Sequence, residues 1–322
     1  MAYVAGVDVG ATHIRVAIAD ERGRFVDQTR FPTPRTGSGI DITERMLRGL
    51  EELTETVSID PSDLAGVGIG SIGPLDLAEG VIEQPANLPD GTGRIPLVGP
   101  VQNLIGSDSV FLRNDAATGV IGERFFGERT PDNLVYLTIS SGIGAGIIVD
   151  GSVEEGWDGN AGEVGHTIVD PEGRRTCGCG HDGHWEAYAS GDNIPGYTRD
   201  LYERLDVDTD LPLHDPDFSA ADVYGSAGRD PLADDVIERV TWWNVIGVTN
   251  VIQSYAPFVV VIGGAVALEN EELVIDPLVE RVPDEVMINV PDIRPTSFGD
   301  ETVLRGSVAL ALRNLPVGDG AG

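Results

Sequence analysis

The chain has 322 residues, 53 of them acidic against 21 basic, and a formal net charge of −32. That balance excludes a nucleic-acid backbone as the partner, because such a surface repels phosphate. With 41% hydrophobic residues it also excludes wholesale disorder and allows two lobes around sizeable cores.

All 21 basic residues are arginines. The acidic surface fits a protein of a salt-accumulating halophile, since at ~1 M salt the screening length is about 3 Å and self-repulsion is muted. Both cysteines fall in one short motif, which is not a secreted disulfide framework. The start, MAYVAGVDVG, reads as a strand rather than a signal peptide. The apolar run near Phe258–Leu268 is too short and too glycine-rich to span a membrane. A cytoplasmic location is expected.

Residues Tyr3–Val9, His13–Ala19 and Phe25–Phe31 read as a three-strand meander. Asp8 ends the first strand. Gly10, Ala11 and Thr12 form the first hairpin, which is either a phosphate-facing turn or an ordinary acidic one. Asp41–Val57 reads as a helix, with Asp41 and Glu44 in a capping-box pattern and Met46, Leu47, Leu50 and Val57 on one face. Gly68, Gly70 and Gly73 match G-x-G-x-x-G. Pro74 follows at once, so no helix opens there for a pyrophosphate. A glycine-rich edge that lets a ligand or strand approach is the reading adopted.

Glu83–Asp90 is a polar loop containing Asn87. Val110–Leu112 is a short strand that delivers Asn114 and Asp115 to the start of a helix over Ala116–Phe126. Asp115 is there a helix cap or a catalytic acid. Asn133–Ser140, a hairpin over Ser141–Gly146 and Ile147–Val149 repeat the opening pattern. Two such units point to two lobes of one plan, each with a phosphate-facing hairpin. The absence of lysine excludes a P-loop.

Glu163–Glu186, EVGHTIVDPEGRRTCGCGHDGHWE, holds both cysteines and three of the five histidines. Ligands crowded this closely point to a metal site. Beyond it, Glu186–Ser190, Ala220–Ala227, Asp234–Tyr255, Glu271–Val286 and Leu304–Leu312 read as helices, and Phe258–Ile262 as a buried strand ended by Gly263-Gly264-Ala265. Such a strand end is a usual place for a nucleotide.

Seven blocks resemble the ROK family of sugar kinases and repressors: DVGAT (8–12), GVGIGSIGPLD (66–76), ND (114–115), SSGIGAGIIVDG (140–151), EVGH (163–166), CGCGHDGHWE (177–186) and VVVIGGAV (259–266). The resemblance covers essentially the whole chain. It implies an α/β actin-like/hexokinase-like fold of two duplicated RNase H-like units. The expected small lobe is 1–117 plus 304–322, and the large lobe is 118–303 with a zinc-binding loop.

It also implies roles. Asp115 matches the catalytic base, and Asn114, Glu163, His166 and Glu186 match sugar-hydroxyl ligands, with Asn87 in a sugar-facing loop. Asp8, Gly10, Ala11, Thr12, Ser141, Gly142 and Gly144 match the ATP phosphate sites, with Mg2+, and Gly263 and Gly264 the adenosine side. His166, Cys177 and Cys179 match structural Zn2+ ligands. His184 stands where the family usually has a third cysteine, and His181 competes for that place. Ala11 stands where a second glycine is usual. The implied activity is phosphorylation of a hexose at a primary hydroxyl, glucose first, then N-acetylmannosamine or N-acetylglucosamine, then fructose. A sugar-responsive regulator is the non-enzyme alternative; its helix-turn-helix domain is not seen before Tyr3. A homo-oligomer, dimer or tetramer, is expected.

Overall fold

The computed structural model describes residues 2–314 apart from 84, 86, 87 and 90. The chain forms two compact units. One comprises Met1–Thr130, Val153–Ala161 and Glu301–Gly322, the other Pro131–Ser152 and Gly162–Asp300.

The first unit begins with the antiparallel meander β1 (Tyr3–Val9), β2 (His13–Asp20) and β3 (Phe25–Pro32), followed by α1 (Gly39–Thr56). β4 (Leu64–Ser71) pairs parallel with β1. A small sheet of β5 (Leu75–Asp76), β6 (Val81–Ile82) and β7 (Ile95–Pro96) precedes α2 (Val98–Ile105). Then β8 (Val110–Asn114) pairs parallel with β4 and runs into α3 (Asp115–Phe126). The main sheet has the order β3-β2-β1-β4-β8.

The second unit repeats the plan. β9 (Leu134–Ile139) and β10 (Ile143–Val149) form the hairpin, and the two-residue β11 (Ser152–Val153) lies beside β10. Then come α4 (Glu186–Ala189), α5 (Ile194–Tyr202), α6 (Ala220–Gly225) and the long α7 (Pro231–Tyr255). β12 (Val259–Gly263) pairs parallel with β9, α8 (Ala265–Glu269), α9 (Glu271–Val274) and α10 (Asp276–Glu285) follow, and β13 (Asp292–Pro295) pairs parallel with β12. α11 (Thr302–Asn314) belongs to the first unit. The second sheet has the order β11-β10-β9-β12-β13. In both sheets an antiparallel hairpin stands on one side of the opening strand and parallel strands on the other. This is the duplicated arrangement of an actin-like fold.

Strand alternation buries both faces of the first unit's main sheet. Val7, Val9, Ile14, Val16 and Ile18 face Ile42, Met46 and Leu50 of α1. Val4, Ala17 and Ala19 face Leu304, Val308 and Ala311 of α11. The glycines of β4 belong to this second face. β4 lies between β1 and β8, so it is an interior strand rather than an edge, and the element that approaches it is α11. A Cβ on Gly68 would overlap the Ser307 carbonyl oxygen, and one on Gly70 would press on Val303 and Thr118. Gly68→Ala is therefore expected to destabilise the protein by about 1–3 kcal/mol through overpacking. Denaturant melts at fixed salt would check this, with an unchanged midpoint counting against it.

Two local expectations are corrected. The N-cap of α1 is Ser38, not Asp41. Asp41 sits three residues on, and its Oδ2 accepts from the Ser38 amide at 2.6 Å. β10 starts at Ile143, so Gly144 lies within a strand and the hairpin tip is shorter than expected. Among the described residues no helix is long and apolar enough to cross a membrane.

Candidate metal centre and phosphoryl-transfer site

In the first unit, β1, β4 and β8 are parallel and end together. Asp8 pairs with Gly70, and Ser71 pairs with Asn114. The carboxyl ends of parallel strands are a usual place for ligands in α/β sheets. Asn114 caps α3: its Oδ1 accepts from the Ala117 amide at 2.7 Å. Asp115 is thus not the cap but the first helical residue, and its Oδ1 accepts from the Ala116 amide at 2.7 Å. An anion there gains from the helix dipole.

Asp8 is buried and bound to Arg15 of the neighbouring strand at 2.8 Å. The hairpin after it is tight. Gly10 N–H donates to His13 O at 3.0 Å, which leaves Ala11 and Thr12 at the tip. Among the described residues, Ser58, Asp150 and Ala256 are the non-glycine ones with left-handed backbone; Ala11 is not one of them, so alanine fits there without strain.

In the second unit, Val164–His166 forms a single 3-10 turn, and the chain then folds into a knuckle. Val169 and Asp170 N–H both donate to Gly183 O, Gly183 N–H donates to Arg175 O, and Cys177 N–H donates to His181 O at 2.8 Å. Gly183 has φ 76°, and a Cβ on it would meet the Asp170 carbonyl. Glycine is what lets the two arms of the knuckle touch. Asp170 closes the other turn, accepting from the Glu172 and Arg174 amides and from Tyr188 Oη at 2.5 Å. Burial opposes its charge, but these bonds together outweigh burial and lower its pKa.

The knuckle gathers His166, Cys177, Cys179 and His184, whose ligand atoms all lie within 4.8 Å of one another. His166 Nδ1 is 3.7 Å from Cys177 Sγ, and His184 Nδ1 is 3.3 Å from Cys179 Sγ. Tetrahedral Zn2+ with bonds of about 2.0–2.3 Å sets its ligands roughly 3.3–3.8 Å apart. The donor set and spacing therefore fit zinc. His181 also approaches Cys179, Nδ1 to Sγ 3.7 Å, but it is exposed and stands outside the group of four. Burial raises the Cys177 thiol to about 11, and burial lowers His184, with the neighbouring His166 and His181 adding to it.

Glu163 and Glu186 flank the cluster. Burial raises the Glu163 pKa, His166 pulls it back, and Glu186 adds to the rise. Glu163 Oε2 lies 3.7 Å from His166 Nε2, the ring nitrogen turned away from Cys177. His166 thus faces the cysteines with one nitrogen and a carboxylate with the other, an arrangement that orients metal-bound imidazoles.

Glu186 has a further part that sequence reasoning missed. Its Oε2 accepts from Ile143 N–H at 2.8 Å, which ties the start of α4 to the β9–β10 hairpin. The same hairpin is held by Gly191 N–H donating to Ser140 O at 2.7 Å and Asp192 N–H to Ser141 O. Ser141 and Gly142 are at its tip, while Gly144 is in β10. Trp185, fully buried, anchors the knuckle from below: its Nε1–H donates to Asn244 at 2.9 Å and its ring lies against Gly247 of α7.

Gly263 and Gly264 have packing reasons of their own. A Cβ on Gly263 would strike the Tyr136 ring, and one on Gly264 the backbone of Ile139. Asn87 lies outside the described residues.

The chain is similar over nearly its full length to several known proteins. It is 38% identical to a glucokinase of Aeropyrum pernix, over 98% of both chains. The ROK hexokinase of Thermus thermophilus superposes with a TM-score of 0.79 at 30% identity, over 96% of this chain and 97% of the other. A ROK family glucokinase from Streptomyces griseus, solved with glucose and AMPPNP, gives 0.78 at 27% identity, over 97% of this chain and 100% of the other. The ROK family model matches residues 4–314, and the chain belongs to the ROK family.

Proposed function

We infer that this protein is an ATP-dependent sugar kinase that converts glucose to glucose 6-phosphate. The observation that carries the reading is the full-length likeness to ROK glucokinases, one of them solved with glucose and an ATP analogue, in a chain that has Asp115, Glu163, His166 and Glu186.

Phosphoryl transfer demands positioning and charge neutralisation more than covalent help. Asp115 accepts the proton of the primary hydroxyl as that oxygen attacks the γ-phosphorus of ATP. Asn114 holds the start of α3 and with it Asp115; its capping bond supports this role. The hairpin tips at Ala11–Thr12 and Ser141–Gly142 present backbone N–H groups to the phosphates in place of a lysine. Asp8 and Arg15 brace the first tip; Glu186, through Ile143, braces the second. Gly263 and Gly264 border the adenosine. Mg2+, when bound with ATP, neutralises phosphate charge.

Glu163, His166 and Glu186 accept from or donate to sugar hydroxyls. A site that pairs each hydroxyl rejects analogues lacking one. His166, Cys177, Cys179 and His184 hold a structural Zn2+ that fixes the knuckle and the His166 ring. The acid-rich, lysine-free composition supports work in concentrated salt, in the cytoplasm of a halophile.

A panel of hexoses with ATP across KCl concentrations tests substrate and salt together. Glucose is expected to give the highest kcat/KM, and activity to rise with KCl. Preference for an N-acetylhexosamine or fructose would overturn the glucose assignment, and full activity in dilute buffer the halophilic one.

A further inference from the structure

The second unit contains a cavity of about 130 Å3 lined by residues to which the kinase reading gives no task. Arg174, Arg175, Arg204 and Arg239 line it, against one carboxylate, Asp200. In a chain of net charge −32 with 21 basic residues, four guanidinium-bearing side chains around one small space stand out from the surrounding surface. Like charges held this close repel unless anions join them.

The protein supplies four carboxylates for these four guanidinium groups but shares them unevenly, two on Arg174 and, among the described residues, none on Arg204. Asp200 pairs with Arg175, Asp170 and Glu172 pair with Arg174 at 3.1 and 3.0 Å, and Asp235 pairs with Arg239 at 2.8 Å. Arg204 has no ion pair among the described residues. The remaining wall is formed by Tyr188, Tyr197 and Trp243 with Leu201 and Leu205. Tyr188 packs on Trp243 with ring centroids 4.6 Å apart and edge-on to Tyr197 at 5.3 Å. Trp243 Nε1–H donates to Tyr197 Oη at 3.1 Å, which leaves the Tyr197 O–H to donate elsewhere. Apart from Asp200, the polar groups lining the cavity are chiefly N–H and O–H donors. Guanidinium groups match tetrahedral oxyanions with paired hydrogen bonds, and the volume exceeds what a chloride ion needs.

We propose that this cavity binds a dianionic phosphate group, as free phosphate or as the head of a small phosphate monoester, at a site separate from the phosphoryl-transfer machinery. Arg204 supplies the unpaired charge, and Arg239, Arg175 and Tyr197 supply further donors that orient the group. Arg175 Nε–H also donates to Ala187 O at 2.8 Å, so the site is built on the backbone of α4 and on the arm that carries Cys177.

The test is calorimetric titration of the full chain in KCl, with a non-hydrolysable ATP analogue, Mg2+ and glucose saturating, using inorganic phosphate in one arm and glycerol 3-phosphate in the other. At least one probe is expected to bind at one per chain. Tighter binding of the ester identifies a monoester ligand, and tighter binding of phosphate the free ion. In the double variant R204E/R239E affinity is expected to fall roughly tenfold or more, as loss of charge-assisted bonds predicts, with kcat for glucose unchanged. Should the double variant not fold, R204Q at an exposed position decides by the same readout. Failure of both probes to bind, or equal affinity in the folded variant, would overturn the proposal. Glucose turnover is assayed separately, so loss of this site leaves the kinase reading intact.

Discussion

Asp115→Asn is expected to lower kcat by roughly 10²–10⁴-fold, the usual contribution of a positioned general base. Glucose affinity should stay within a few-fold. The split follows from the local structure. The cap of α3 is Asn114, whose bond to Ala117 does not involve the substituted side chain, so the helix start should persist. Asparagine keeps the size of aspartate and can still accept the Ala116 amide bond. What it loses is the capacity to take a proton. Steady-state kinetics with a separate glucose-binding titration check this. A kcat within about tenfold of the parent would remove Asp115 from its role.

The second large effect concerns the metal. Cys177→Ser is expected to lose the zinc, lower the melting temperature, and raise KM for glucose at least ~10-fold. Structural zinc contributes folding free energy outright, and small zinc domains unfold without it. Here the knuckle carries His166 and leads into Glu186, so its loosening reaches both of these proposed sugar ligands and the Ile143 amide. His181→Ala should leave about one zinc per chain, because the gathered group of four contains His184 instead. Elemental analysis of both variants separates the outcomes. A zinc-free protein of undiminished stability would refute the metal centre, and loss of zinc in the His181 variant would reassign the fourth ligand.

Much of this was legible in the sequence because it is local. The alternation of β1 and β2 and the 3.6-residue periodicity of α1 can be read from neighbouring residues. The four clustered ligands fall within 19 positions of one another, between His166 and His184. Proline obscured part of the rest. α2 carries Pro100 in its first turn, α5 carries Pro195, and α7 begins at Pro231 with Asp230 as its cap. Each proline reads as a break, yet in a first turn its missing N–H costs nothing. β13 ends in Pro295 and was hidden for the same reason, and it is tolerated because β13 is an edge strand.

The glycines of β4 misled in another way. Their small size announces a close approach but not by what, and the answer, α11, lies more than 230 residues on in the chain: Gly70 N–H donates to Ser307 Oγ at 3.1 Å, |i−j| = 237. The bond from Ile143 to Glu186 spans 43 residues and could not be read from spacing either. Resemblance supplied roles for Glu186 and Asp115, while the folded chain adds what holds each in place: a hairpin amide for one, a neighbouring cap for the other.

The central claim is the transfer of a phosphoryl group from ATP to a glucose hydroxyl. Its most direct test is 31P NMR of the purified protein with ATP, Mg2+ and glucose in concentrated KCl. The account predicts ADP and glucose 6-phosphate appearing in equal amounts, with no inorganic phosphate ahead of them. ATP that stays intact, or is hydrolysed without forming a sugar phosphate, would contradict it.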